Sequence, residues 1–379
     1  MERYTVTTRT FRSDRNARLL AAKEFIPRQH SSVNGAFKGY QPVTLLLVHA
    51  TGFHKEQWEP ILETMPLSSD EAATGRVPPF AQVRECDHFA NENAQVFLPP
   101  NLGTAIPWHI DRVVTIDAWN HGDSAILNRD KLVGKVPTSP STWISTGADV
   151  VEVVAQMQVT SMLVGMGHSF GATSILLAEI IRPALFDAIL SVEAVLAFAM
   201  PQFSLANFDY VLKRKATWPS AQHVSQYIAN HSFFSGWDPR AIGLYQTHGM
   251  TTTVPPAFES TVTDNPDLAK SETVYLKCHP RDECATFTGG LVDGRWARRH
   301  LGEIVCPVRF LLADNSITCF NDRFAQAHAN CAMLSDARVA RQSSHLLPME
   351  SPGTVSYEMG KFIGDTLAVR LALRQLARL

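Results

Sequence analysis

The chain has 379 residues, 45% hydrophobic and 18% charged, with a formal net charge of −2, which is enough for one large α/β domain with a sizeable insertion. So balanced a charge gives no electrostatic reason to bind nucleic acid or an anionic membrane surface, and no apolar run approaches the length of a bilayer span. Six cysteines (Cys86, Cys278, Cys284, Cys306, Cys319 and Cys331) show neither a C-x-x-C pair nor metal-ligand spacing, so reduced thiols are expected, with no metal and no cofactor.

The opening residues Met1–Val6 lack the apolar core of a signal peptide, which predicts an intracellular compartment. Residues 4–12 and 17–25 read as a β-hairpin around a turn at 13–16. Val43–Val48 is a continuous apolar run, the pattern of a parallel strand buried on both faces. It runs into His49-Ala50-Thr51-Gly52-Phe53-His54-Lys55-Glu56, a strand-end loop in which the glycine lets backbone approach a ligand. His49 is expected to brace that loop by hydrogen bonding. Residues 64–108, with Pro78-Pro79 and Pro99-Pro100, read as a surface insertion. A strand at 112–117 leads into Ala118-Trp119-Asn120-His121-Gly122-Asp123-Ser124, and a helix around 145–158 follows.

Gly167-His168-Ser169-Phe170-Gly171 lies between the apolar run 161–166 and the helix-like run 172–181. Strand, sharp turn and helix in that order make a nucleophile elbow, the mark of a serine hydrolase with the α/β-hydrolase fold. Its glycines are required where strand and helix approach too closely for a Cβ and the serine backbone is strained. Ser169 is the expected nucleophile. The oxyanion hole of this fold uses the N–H after the nucleophile, Phe170, and one from the first strand-end loop, here Phe53. The helix stops near Arg182-Pro183 and 187–193 is the next strand. From 197 to 300 the text turns to aromatics and short amphipathic pieces, where this fold inserts a cap that closes over the pocket. A strand at 307–312 resumes the sheet, and Ser344-His345-Leu346 in the exit loop of the last strand supplies the general base, His345.

Two carboxylates stand between Ser169 and His345 at strand ends. Asp314 follows the 307–312 strand, the commoner place for the acid, although Ser316 stands nearer the usual position. Glu193 ends the strand beside the nucleophile strand, from which a carboxylate also reaches the imidazole Nδ1. Glu193 is favoured and Asp314 is the alternative acid.

Several of these segments, with Trp218-Pro219-Ser220, Trp237-Asp238-Pro239-Arg240, Leu276-Lys277-Cys278 and Ser344-His345-Leu346-Leu347-Pro348-Met349-Glu350, together resemble the fungal α/β-hydrolases of specialised metabolism. That group includes peroxisomal lipase-like enzymes, toxin-biosynthesis hydrolases and the acyl-CoA hydrolase of mycophenolic acid biosynthesis. The resemblance covers about residues 40–365. It implies ester or thioester cleavage and carries the acid over to Glu193, where that acyl-CoA hydrolase has Asp. The expected architecture is a mostly parallel sheet flanked by helices, with core 1–196 and 301–379, cap 197–300 and the 64–108 insertion. A different enzyme class on the same triad would be an acyltransferase or a C–C-bond-cleaving or cyclising enzyme. A binding protein on a dead hydrolase scaffold is the non-enzyme alternative.

The last residues, Ala377-Arg378-Leu379, match the small-basic-leucine pattern of peroxisomal targeting tripeptides. The expected partners are therefore a small acyl ester or acyl-CoA substrate and the peroxisomal import receptor, in the peroxisomal matrix, with the cytoplasm as the alternative. Homodimerisation is left open.

Overall fold

A computed structural model describes residues 1–15, 17–28, 37–74, 83–85, 106–132, 142–196, 209–255, 258, 272–316 and 335–376. Its centre is a nine-stranded sheet ordered β1-β2-β5-β3-β6-β7-β11-β12-β4. The strands are β1 Tyr4–Ser13, β2 Arg18–Pro27, β3 Gln41–Val48, β4 Val83–Glu85, β5 Trp108–Ile116, β6 Met162–His168, β7 Ala188–Val192, β11 Val308–Ala313 and β12 Ser335–Ala340. From β5 to β12 neighbours run parallel, and β1, β2 and β4 add antiparallel margins. Burial follows position. Every residue of β6, β7 and β11 is buried, whereas the Thr- and Arg-rich edge strand β1 is mostly exposed, with charges that discourage edge-to-edge pairing.

Successive side chains of a strand point to opposite faces, and β3 splits accordingly. Leu46 and Val48 enter one apolar cluster while Val43, Leu45 and Leu47 enter the other. The helices that matter here are α1 Glu59–Thr64, α2 Ser69–Thr74, α3 Gly122–Leu127, α4 Trp143–Met157, α5 Phe170–Ile181, α6 Ala221–Asn230, α7 Pro239–His248, α8 Pro280–His300 and α9 Pro352–Leu376. The first cluster lies under α4 and α5, and the second under α1 and α9. Truncating a fully buried leucine such as Leu46 or Leu47 to alanine costs about 2–5 kcal/mol.

A smaller unit stands at the carboxyl ends of the parallel strands. Strands β8 Thr217–Trp218, β9 Met250–Thr251 and β10 Val274–Leu276 form an antiparallel sheet in the order β8-β10-β9. With α6 and α7 it buries Trp218, Phe234, Trp237 and Tyr245 against Phe53 and Met349 of the larger unit. Helix α8 belongs to both, for it packs on α4 and α5, and the Trp143 indole N–H donates to the Thr286 carbonyl at 2.7 Å.

The expected hairpin, the buried strands and the helix before the elbow all form, with bounds within a few residues. Most of 64–108 lies outside the described residues, including both proline pairs; within it, β4 extends the sheet beside β12 and α2 lies against α9. Parts of 197–300 and the tripeptide Ala377-Arg378-Leu379 also lie outside them. Among the described residues Cys278, Cys284 and Cys306 form no disulfide.

Candidate active site

β6 delivers Ser169 to the carboxyl edge of the sheet. Its backbone is at φ 56°, ψ −116°, a region costly for a side chain and tolerated where the surroundings over-determine it. Those surroundings are close. A Cβ on Gly167 would run into the backbone of Gly171, and one on Gly171 into the carbonyl of Val48. The Ser169 N–H is tied to the Val192 carbonyl at 2.9 Å, which links the elbow to the end of β7.

Ser169 Oγ lies 2.8 Å from His345 Nε2, and His345 Nδ1 lies 2.8 Å from Glu193 Oε2. Because a carboxylate only accepts, Nδ1 carries the proton and Nε2 is left to accept the serine O–H. Glu193 is fully buried, again with positive φ, 53°. It also accepts the Ala313 N–H on Oε1 at 2.6 Å and the Ser316 hydroxyl on Oε2 at 2.5 Å. Asp314 is turned elsewhere, accepting the Ser343 N–H at 3.3 Å. Ser316 thus stands where a strand-end acid would be expected and donates to the Glu193 carboxylate.

Two further histidines are structural. His168 Nε2 donates to the His345 carbonyl at 2.7 Å, and burial lowers its pKa to about 3, so this tether from elbow to histidine loop does not titrate near neutrality. His49 braces the β3 loop as expected, accepting the Ala118 N–H on Nε2 at 3.0 Å while Nδ1 donates to the Ala50 carbonyl at 2.7 Å.

The two expected oxyanion donors differ. Phe170 N–H opens α5, where a helix leaves its first amides without intrahelical partners, and no carbonyl of a described residue takes it. Phe53 N–H instead closes a turn onto the Ala50 carbonyl at 3.1 Å, so it is engaged in this conformation. The turn depends on Gly52 at φ +83°, and a Cβ there would also strike the Glu283 carboxylate. Glu283 in turn receives both of its bonds from Arg214, at 2.6 Å each, and Arg214 reaches the Tyr245 hydroxyl at 2.7 Å.

A cavity of about 560 Å³ opens over Ser169 and His345, walled by Trp143, Trp218, Tyr227, Phe233, Phe234 and Phe287. The remaining motif residues meet beside it. Lys55, almost wholly buried, bonds Asp117 Oδ2 at 3.0 Å, Asp123 Oδ2 at 2.6 Å and Glu56 Oε1 at 3.0 Å, and Lys277, next to β10, takes the other Asp123 oxygen at 2.6 Å. Asn120 spans to α8 through Thr286 Oγ1 at 2.9 Å. Sequence reasoning singled out these segments without seeing these contacts, because Lys55 and Asp117 lie 62 positions apart and Asn120 and Thr286 lie 166 apart. Among the described residues no cluster of three or more His, Cys, Asp or Glu is arranged to hold a metal ion.

The family model described as the alpha/beta hydrolase family matches residues 45–356. Among curated relatives, the type I acyl-CoA thioesterase mpaH of Penicillium roqueforti is 28% identical over 142 residues, 36% of this chain and 31% of that protein. The peroxisomal membrane protein LPX1 of Saccharomyces cerevisiae is 35% identical over 92 residues, 23% of this chain and 22% of that protein. The chain therefore aligns with only about a third or less of the length of these relatives. Among solved structures, the peroxisomal α/β-hydrolase Lpx1 from Saccharomyces cerevisiae superposes with a TM-score of 0.71 at 16% identity, covering 97% of this chain and 90% of that one. A thioesterase domain from the curacin biosynthetic pathway gives 0.56 at 12% identity, covering 94% and 99%. Elbow, sheet order and a family match over most of the length agree: the chain belongs to the α/β hydrolase family.

Proposed function

We propose that the chain hydrolyses acyl thioesters or esters with Ser169 as nucleophile, His345 as general base and Glu193 as the acid that orients it. The observation that carries this reading is the unbroken hydrogen-bond chain from Ser169 Oγ through His345 to buried Glu193, 2.8 Å at each step, beneath an aromatic cavity. Ser169 Oγ attacks the acyl carbon as His345 Nε2 takes its proton, and Glu193 stabilises the imidazolium. The tetrahedral oxygen is held at the Phe170 N–H. Collapse expels the thiol or alcohol, protonated by Nε2, and leaves an acyl-enzyme. Water then adds to the acyl carbon, its proton passing to Nε2, and the acid departs as the Oγ–acyl bond breaks and Nε2 returns that proton to Ser169 Oγ.

Residues 197–300 are taken as the cap over a core of 1–196 and 301–379, its aromatics receiving a bulky apolar acyl group. The mpaH relatives are acyl-CoA thioesterases, which favours a thioester, and the LPX1 relative is a peroxisomal protein, which favours the peroxisome. A fluorescent fusion co-imaged with a peroxisomal marker tests the location. Fluorophosphonate labelling with intact-mass readout, paired with a panel of acyl-CoAs and simple esters, tests the chemistry. A chain that takes no label on Ser169 and turns over no member of the panel would be no acyl hydrolase.

A further inference from the structure

Of the two main-chain donors expected at the tetrahedral oxygen, the Phe53 N–H closes a turn onto the Ala50 carbonyl at 3.1 Å. That leaves the Phe170 N–H to act alone. Closing the turn makes Thr51 and Gly52 its corner residues, and Thr51 lines the cavity together with Ser169 and His345. Thr51 is only 6% exposed, and its Oγ1 is buried with no hydrogen-bond partner among the described residues. Its N–H, too, is taken by no carbonyl of a described residue.

The loop and the elbow are in contact. Strands β3 and β6 run parallel with Val48 opposite Gly167, so they end level, and Thr51 and Ser169 both follow within three residues. Past that level, a Cβ on Gly171 would lie 2.5 Å from the His49 carbonyl. From the other side comes the Glu283 carboxylate, which Arg214 holds by both oxygens at 2.6 Å, and a Cβ on Gly52 would lie 2.4 Å from it. The corner is clamped between the elbow and α8, and the branched Cβ of threonine leaves its hydroxyl few rotamers. This donor is positioned before any substrate arrives.

A buried hydroxyl without a partner weakens the folded protein, and native structures carry few of them. An acceptor that arrives during the reaction relieves that cost. The acyl oxygen is such an acceptor, and it accepts most strongly once it bears the charge of the tetrahedral intermediate.

Taking Ser169 as the nucleophile, we propose that the Thr51 hydroxyl is the second oxyanion donor, a side chain in the role this fold gives to a main-chain amide. As Ser169 Oγ bonds to the acyl carbon and its proton passes to His345 Nε2, the carbonyl π pair moves onto the acyl oxygen. That oxygen accepts the Phe170 N–H and the Thr51 O–H. The pair re-forms the carbonyl as the leaving group departs with the proton from Nε2, and Thr51 keeps its own proton throughout.

Two near-isosteric variants of the whole chain test this, assayed on the panel member that wild type turns over best. Thr51→Val removes the hydroxyl and keeps the backbone, and should lower kcat by about 10²–10³ with KM within about threefold. Thr51→Ser keeps the hydroxyl and should stay within about tenfold of wild type. An aryl trifluoromethyl ketone, which Ser169 converts to a tetrahedral adduct bearing an oxyanion, should lose affinity for Thr51→Val by the same factor as kcat/KM. Thermal melts separate catalysis from structure: Thr51→Val should unfold no earlier than wild type, because it removes an unpaired hydroxyl. Turnover by Thr51→Val within about threefold of wild type, or Thr51→Ser as slow as Thr51→Val, would overturn the proposal. A slow Thr51→Val that melts early and binds the ketone as wild type does would make the hydroxyl structural and overturn it equally. Each of these outcomes leaves fluorophosphonate labelling of Ser169 in place, whereas a wild-type chain that takes no label removes the nucleophile and the oxyanion with it.

Discussion

Replacing Glu193 by glutamine isolates the acid, because the change is one atom and the site has no room for ambiguity. Three donors converge on the carboxylate: Ala313 N–H on one oxygen, and the Ser316 hydroxyl and His345 Nδ1–H on the other. An amide has one acceptor end. If its oxygen stays with His345 and Ser316, its NH₂ faces the Ala313 N–H, and a buried donor is left unpaired at a stability cost of about 1–3 kcal/mol. If it flips to satisfy Ala313, its NH₂ faces His345 Nδ1, and the imidazole must carry its proton on Nε2, where it can no longer accept from Ser169 Oγ. Either outcome lowers kcat, by roughly 10²–10⁴, or about 2.7–5.4 kcal/mol of barrier. Steady-state kinetics on a thioester, with thermal unfolding of the same preparations, separates the catalytic from the structural loss. Asp314→Asn, which touches only the 3.3 Å bond from Ser343 N, should leave kcat within about threefold of wild type. A loss under tenfold in the Glu193 variant, or a larger loss in the Asp314 variant, would refute this assignment.

Ser316→Ala removes one of two donors on the oxygen that His345 uses and should lower kcat by about tenfold without raising KM, checked in the same assay. Ser169→Ala should abolish labelling and turnover, whereas Ser169→Gly, equally inactive, should also be more stable than the alanine variant by about 1–2 kcal/mol, since glycine accepts φ 56° without strain; equal unfolding midpoints would contradict a strained elbow. Arg309, fully buried within β11 and bonded to Asp336 and Asp365, should cost about 3–5 kcal/mol as Arg309→Ala in denaturant melts, because its carboxylate partners lose their buried cation and keep, among the described residues, only Arg338 and Lys361. Asp282 has its pKa raised to about 7, chiefly by burial. An acid raised in the folded state contributes stability below its unfolded pKa that is lost as pH rises through the folded value. Wild type should therefore lose up to about 4 kcal/mol between pH 4 and 7 that Asp282→Asn does not, read from urea melts across that range.

What the sequence made legible follows from how far each signal reaches. The elbow and the buried strands are local patterns, and Ser169 and His345 are named by motif and chain order, so reading them needs no long-range geometry. That the Glu193 carboxylate meets His345 was readable because strand adjacency follows from the fold: β7 lies between β6 and β11, and a strand-end carboxylate there faces the same edge. The hydroxyl of Ser316 could be placed near the acid position, but its bond to Glu193 depends on how two strands end side by side. The engagement of Phe53 N–H was not legible, since the direction of an amide depends on backbone angles that no side chain encodes. The grip of α8 on the core was hidden for a related reason, its contacts being spread over Trp143, Thr286 and Asn120 with no periodic mark of their own.

The salt-linked cluster around Asp123 bears on how members of this family can diversify. A carboxylate held by Lys55 from below and Lys277 from above cannot lose either cation alone without a local imbalance of charge, so the two lysines constrain each other across 222 positions of chain. Exchange between relatives of the segment that carries Lys277 is therefore not modular at this seam. A transplanted segment that lacks a cation at the place of Lys277 should seat poorly on this core, and restoring that one residue should recover its seating.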